Sequence, residues 1–146
     1  MKLIGIAVRP ARGEAMVVRE RADISVEEGL DGDYVSRQCS RQVSLLSAES
    51  WRDVCRDAGV DLHWHTRRAN LLVQDYVFGM ADLGRVVVIG DVRLRISRET
   101  MPCRKMDMQF PGLQEIIRLD WRGGVCCRVL RGGVIAVGDE IRMEEV

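Results

Sequence analysis

Cys103 follows Pro102, and Arg98, Arg104 and Lys105 lie within a few positions of it. A thiol that serves only packing needs apolar neighbours. Cations instead favour the thiolate, the form that attacks sulfur and binds soft metals. Cys103 is therefore read as a nucleophile or a soft-metal ligand, against the plainer alternative of a partly buried structural cysteine. The remaining cysteines suit that chemistry less well. Cys55 falls on the apolar side of an expected helix. Cys126 and Cys127 are consecutive in a strand-like run and must face opposite ways, so they cannot both line one pocket. Together with Cys39, they are expected to be small core or surface residues.

A second group is Arg67, Arg68 and Asn70, just ahead of the apolar run Leu71–Val73. If a strand already begins there, Arg68 and Asn70 share a face. A guanidinium fork can hold a phosphate or oxo anion, and an amide can read polar ring edges. A structural ion pair for Arg68 and a backbone hydrogen bond for Asn70 explain the same residues equally well. Arg41 and Gln42 open a further strand, and one of them should face inward; Arg41 is the weaker anion-binding candidate. In Gly29-Leu-Asp-Gly-Asp33 the spacing fits no phosphate-loop signature, so Gly32 is expected to supply a backbone angle and Asp33 to orient a neighbour. His63 and His65 could ligate a metal from one strand face, but no third ligand is apparent, and an ordinary loop is the expectation. Met106 and Met108 are assigned to packing.

These residues need a scaffold. The chain has 146 residues, 47% apolar and 30% charged, which fits one globular domain spanning 1–146. A formal net charge of zero argues against a general polyanion binder, and no nucleic-acid partner is expected. No apolar run reaches the roughly 18 residues of a membrane span, and the start lacks a signal-peptide core. Five cysteines cannot form a complete disulfide set, and none form a C-x-x-C pair, so a cytoplasmic protein is expected. Strands are predicted over 2–8, 16–29, 41–47, 69–76, 85–97 and 125–146, the last broken by turns at Gly132-Gly133 and Gly138-Asp139. Val92, Leu94 and Ile96 alternate with polar residues at the period of a half-buried strand. A helix is predicted from the Ser47 cap to the Gly59 stop, and a shorter one within 111–121. The fold class is mostly β, with closure into a barrel expected as the way to protect strand edges.

Four segments also follow one family in order and spacing: GLDGDYVSRQCSRQVSLLSAES (29–50), RRANLLV (67–73), LGRVVVIGDVRLRISRETMPCRKMD (83–107) and RGGVCCRVLRGGVIAVGDEI (122–141). Together they resemble the MOSC domain, named for the C-terminal part of molybdenum-cofactor sulfurases. The resemblance implies a MOSC-type β-barrel with a few short helices. It also implies binding of the molybdenum cofactor (molybdopterin, a pyranopterin with a terminal phosphate) or handling of its sulfur. Cys103 would be the motif cysteine, as molybdenum ligand or persulfide carrier, and Arg41, Arg67, Arg68, Asn70 and Arg104 would contact cofactor. The reductase branch implies two-electron reduction of N-hydroxylated substrates. No flavin, haem or iron–sulfur motif is present, so that branch needs an external donor, and a molybdoenzyme or redox protein is the implied partner. A delivery module for another molybdoenzyme is the alternative. The chain is expected to lack both the N-terminal domain of larger members and the aminotransferase-like domain of full sulfurases; pyridoxal phosphate is linked to it by family association only.

Overall fold

The computed structural model describes residues 1–34 and 41–144. Cys39 lies outside the described residues, so its expected packing role is not addressed. The strands are β1 (Lys2–Val8), β2 (Val17–Arg19), β3 (Arg21–Ser25), β4 (Gly29–Leu30), β5 (Val43–Ser47), β6 (Leu71–Gln74), β7 (Val86–Ile89), β8 (Val92–Glu99), β9 (Val125–Arg131), β10 (Gly133–Ala136) and β11 (Arg142–Glu144). The helices are α1 (Ala48–Ala58), α2 (Lys105–Gln109) and α3 (Leu113–Arg118), with single 3₁₀ turns at Trp64–Arg67, Met80–Asp82 and Leu119–Trp121.

Eight strands form one sheet in the order β11-β7-β8-β9-β5-β6-β1-β2, and β10-β3-β4 form a second. Every pairing is antiparallel except β5 with β6, which α1 connects as a crossover. Parallel neighbours require such a crossover, and a helix packed on the sheet provides it. The fold is thus mostly β with a few short helices. The expected barrel is not closed by strand pairing among the described residues. Instead the large sheet curls until the residues entering β11 meet the start of β1: Leu3 N donates to Asp139 O (2.9 Å), Gly138 N to Leu3 O (2.7 Å) and Ile141 N to Met1 O (2.8 Å).

Alternation along the strands sorts side chains into two cores. Leu45, Leu71, Val73, Leu94, Ile96 and Cys127 point inward with Ile24 and Ile135 of the small sheet. Leu46 and Leu72, one residue out of phase, meet Trp51 and Val54 of α1, Met106 of α2, and Leu113 and Ile117 of α3. β5 and β6 are buried on both faces, which is why apolar residues fall on consecutive positions at Leu45-Leu46 and Leu71–Val73. On β8, Val92, Leu94 and Ile96 are buried as the period demands, but a register shift between Ile96 and Arg98 ends the alternation before the loop that carries Cys103.

α1 begins and ends where the sequence indicates. The Ser47 side chain accepts from Ser50 N at 3.1 Å, and Gly59 closes the helix at φ 71°. Gly123 and Gly124, ahead of β9, are required by close approach. A Cβ on Gly124 would lie 2.1 Å from the Leu45 carbonyl oxygen, at a φ of 91°; one on Gly123 would lie 2.4 Å from Thr100 O and 3.1 Å from an Arg67 guanidinium nitrogen. The helix α2 is absent from the sequence expectation, because five residues carry too little period to read.

Two substitutions should separate these effects in denaturant titrations. Ser47→Ala should lower stability by about 1 kcal/mol through the lost cap. Gly124→Ala should cost more than ~2 kcal/mol, because it adds both strain at positive φ and overlap with the β5 backbone.

Candidate functional site

The loops leaving β1 and β8 converge with those entering β5 and β6. Between them lies a cavity of about 240 Å³, lined by Arg9, Met16, Asp33, Arg41, Ser44, Arg67, Arg68, Asn70, Thr100, Met101, Cys103, Lys105 and Met106. Of the candidates from sequence, it brings together Cys103, Arg41, Arg67, Arg68 and Asn70. Arg104 is exposed and is not among the lining residues. Arg98 is not among them either; it borders an adjoining depression with Arg41, Glu99, Thr100 and Met101. The cations that share the cavity with Cys103 thus come mainly from distant parts of the chain, with Lys105 the one sequence neighbour among them.

Arg67 and Arg68 do not sit on a strand. His63 caps the turn Trp64–Arg67, its ring nitrogen accepting from His65 N at 3.4 Å, and Arg68 ends the turn in the left-handed region at φ 66°. β6 starts only at Leu71, so Arg68 and Asn70 share the cavity through this turn rather than through strand alternation. The two histidines stack at 4.0 Å between ring centroids, and burial, with His63 beside it, holds His65 below the usual imidazole range. No group of three or more His, Cys, Asp or Glu residues among the described residues could hold a metal ion. His63 shapes the turn through its cap on His65 N.

Arg67 is 7% exposed. One terminal guanidinium nitrogen donates to Thr100 O at 3.0 Å, a contact that the missing side chain of Gly123 leaves open, and its Nε has no acceptor among the described residues. No carboxylate pairs with Arg67 or Arg68 among the described residues. Burial pulls the Arg67 guanidinium below its ordinary value; Cys126 and Cys103 act in the opposite direction, and Arg41 adds like-charge repulsion. A guanidinium keeps its proton in such a setting, so the cavity holds a desolvated positive charge. Arg9 lies at the rim, its guanidinium 4.7 Å from the Tyr34 ring centroid and donating to Tyr34 Oη at 2.8 Å, while its backbone N–H donates to Asp33 Oδ1 at 2.9 Å. Asp33 is the sole carboxylate among the lining residues. Gly32, at φ 86°, turns the backbone ahead of it.

Asn70 has its polar atoms engaged by protein. Its Oδ1 accepts from Ser44 N (3.0 Å) and lies 3.2 Å from Ser44 Oγ, which in turn accepts from Asn70 N at 3.0 Å. Its Nδ2 donates to Ala7 O at 3.1 Å, and Ala7 N donates to Asn70 O at 2.7 Å. The backbone-bonding alternative describes this residue. Gln42 is the inward-facing member of its pair, donating to Val26 O at 2.7 Å and accepting from Val129 N at 2.8 Å; Arg41 is exposed at the cavity.

Cys103 is exposed on the loop ahead of α2, with Pro102 buried beneath it. Met106 is buried and Met108 is 84% exposed, so only the first of that pair packs. Cys55 is half-buried on α1, its thiol 3.6 Å from Leu62 O. Cys127 lies in the inner core, where burial pushes its thiol well above the ordinary value. Cys126 faces the other way, its Sγ 3.1 Å from Thr100 Oγ1, behind the cavity wall. Sequence reasoning missed Arg9, Ser44 and Thr100 as cavity residues. Arg9 carried only the weak signal of a cation directly after an apolar strand, and the other two carried none.

Exposure separates the thiols. Brief alkylation of the native protein followed by peptide mapping should label Cys103, while Cys126 and Cys127 should react only after denaturation. Asn70→Ala should destabilise by about 2–4 kcal/mol in denaturant, because it strands buried groups of β1 and β5.

Comparison with curated proteins gives no significant match. Among solved structures, the fold is similar to the YuaD protein from Bacillus subtilis, with a TM-score of 0.79 and 20% identity over 99% of this chain and 96% of that one. YiiM from Escherichia coli superposes with a TM-score of 0.75 and 14% identity, covering 100% of this chain and 71% of that one. YiiM from Geobacillus stearothermophilus does so with 0.76 and 19%, covering 99% and 75%. The family model for the MOSC domain matches residues 19–142, a span that holds the cysteine loop and the arginine turn but not β1, Arg9 or Met16 of the cavity. On that match the chain belongs to the MOSC domain family.

Proposed function

We propose that residues 1–146 act as a single MOSC domain that binds the molybdenum cofactor at this cavity, with Cys103 as its reactive thiol. One observation carries the reading: the buried positive charge of Arg67, without a carboxylate partner among the described residues, lines the same cavity as an exposed cysteine. Anionic and thiophilic groups are the chemistry that such a pair accepts, and the cofactor has both, a phosphate and a molybdenum centre. The donor set therefore fits.

In this reading Arg67 and Arg68 hold anionic oxygens by charge-assisted hydrogen bonds, and Arg41, Lys105 and Arg9 supply further positive charge at the rim. Asn70 positions the arginine turn instead of contacting ligand, because its amide already bridges β5 and β1. Cys103 acts as a soft donor to the metal or as the carrier of a persulfide. When bound, the cofactor supplies a centre for two-electron chemistry, of which reduction of N-hydroxylated substrates with an external electron donor is one form. The exposure of Cys103 favours a second form, in which the domain hands sulfur to a partner molybdoenzyme.

Cys103→Ser tests the assignment. Serine is nearly isosteric and the site is exposed, so the unfolding free energy should stay within about 0.5 kcal/mol of the parent. After reconstitution with cofactor, molybdenum content and persulfide formation should both be lost, since a hydroxyl is a harder ligand that keeps its proton. Cys55→Ser should keep both. Retention of metal and persulfide by Cys103→Ser would move the chemistry to another residue.

A further inference from the structure

The cavity would hold only part of a pterin cofactor. Pockets that enclose drug-sized ligands run to roughly 300–1,000 Å³, and this one measures about 240 Å³. It has room for a small anion. Its deepest charge, Arg67, is nine-tenths buried and has no carboxylate partner among the described residues, so an anion seated there would complete an ion pair that the protein leaves open. Arg68 likewise has no partner for its guanidinium among the described residues. The same lining holds Met16, Met101 and Met106 with Cys103, and Asp33 is its one carboxylate among the described residues. Thioethers are polarisable, and they tolerate a soft sulfur atom where a hard oxygen would lose its hydration. The lining thus combines cations suited to an oxyanion with soft groups suited to sulfur.

We propose that the cavity is a docking site for a small sulfur-bearing oxyanion of the thiosulfate class, which donates its outer sulfur to Cys103. This rests on the persulfide form of the function proposed above and names the donor for it. The step balances without an added oxidant or reductant. Cys103 gives its proton to solvent, and the thiolate attacks the outer sulfur of thiosulfate. The new bond joins Cys103 Sγ to that sulfur; the bond between the two sulfurs of thiosulfate breaks, and sulfite leaves with its electron pair. Arg67 and Arg68 hold the sulfonate oxygens before the step and take the charge that gathers on sulfite as it leaves. The product is a persulfide anion on an exposed residue, open to an acceptor.

The experiment uses the full chain, reduced and freed of reductant under anaerobic conditions, and treated with sodium thiosulfate. Intact mass and peptide mapping should show one added sulfur on Cys103, with sulfite released in equal amount. Sulfate should slow the reaction, and chloride at the same ionic strength should not, because sulfate occupies the oxyanion seat while chloride only screens. Arg67→Gln should reduce the rate with thiosulfate about ten- to a hundred-fold. Its rate of capture by an uncharged organic trisulfide, which needs no oxyanion seat, should fall much less than its rate with thiosulfate. If Arg67→Gln fails to fold, Arg68→Gln combined with Lys105→Gln takes its place, with a loss of about ten-fold expected from cations nearer solvent. Capture of Cys103 by the trisulfide, as a mixed di- or trisulfide, without sulfur gained from thiosulfate would overturn the proposal and leave Cys103 a reactive thiol served by another donor. No reaction with either reagent would remove the reactive-thiol reading with it. Equal slowing by sulfate and chloride, or arginine variants that react with thiosulfate like the parent, would reduce the finding to an ordinary exposed thiol.

Discussion

The reciprocal hydrogen bonding of Ser44 and Asn70 is the constraint on which the site rests. At the start of the parallel pair β5 and β6, the ladder alone leaves polar groups of both chains without partners. Asn70 meets that need with its backbone and its amide together, tying Ser44 of β5 to Ala7 of β1 across positions 26 and 63 residues apart in the chain. The turn holding Arg67 and Arg68 is thereby anchored at its exit. Its entry is fixed by the His63 cap and by Trp64, whose ring lies 2.8 Å from where a Cβ on Gly5 would stand. A side chain at position 5 would push the tryptophan and, through it, the arginines.

Much of the scaffold is legible because local rules decide it. The Ser47 and Gly59 caps mark α1, alternation marks β8, and Gly32 adopts the left-handed angle assigned to it. The inward turn of Gln42 beside Arg41 follows the same period. The site was legible by residue type more than by geometry. Cys103, Arg67 and Arg68 could be singled out, but Arg98 and Arg104, its neighbours in sequence, do not line its cavity, whereas Arg9, more than ninety positions away, does. Such placement depends on the curl of the sheet and on a register shift in β8, and neither leaves a trace in a short window of residues. Asn70 shows the same limit from the other side. Its amide looked equally fit for ligand or backbone, and only the long-range partners Ser44 and Ala7 decide between them.

The charge arrangement explains how a chain of zero net charge can still attract anions. Some surface carboxylates are paired away from the cavity, as in Arg56 with Asp53, Arg118 with Glu115, and Arg122 with Asp57. Such surface pairs contribute little to stability, and their acidic members do not line the cavity. Asp82 is likewise committed, held by Arg85 at 2.9 Å and by the Tyr76 hydroxyl in a cluster that secures the loop before β7.

What remains at the cavity is an imbalance that folding alone does not favour. Burying the Arg67 charge costs free energy, and its one hydrogen bond to Thr100 O offsets only part of that cost. An apolar residue of similar volume in the same place would stabilise the protein, since isosteric replacement of buried charges is often neutral or better. The architecture instead accommodates the guanidinium: Gly123 gives up its side chain to make room, and the backbone of Thr100 turns its oxygen toward it. Local sacrifices of packing and charge around a single side chain are the mark of a group kept for what it binds. Anything that binds only the folded chain and supplies the missing negative charge would return that stability by mass action. Under the proposed function, the buried cation and the cysteine serve one ligand from the same small volume.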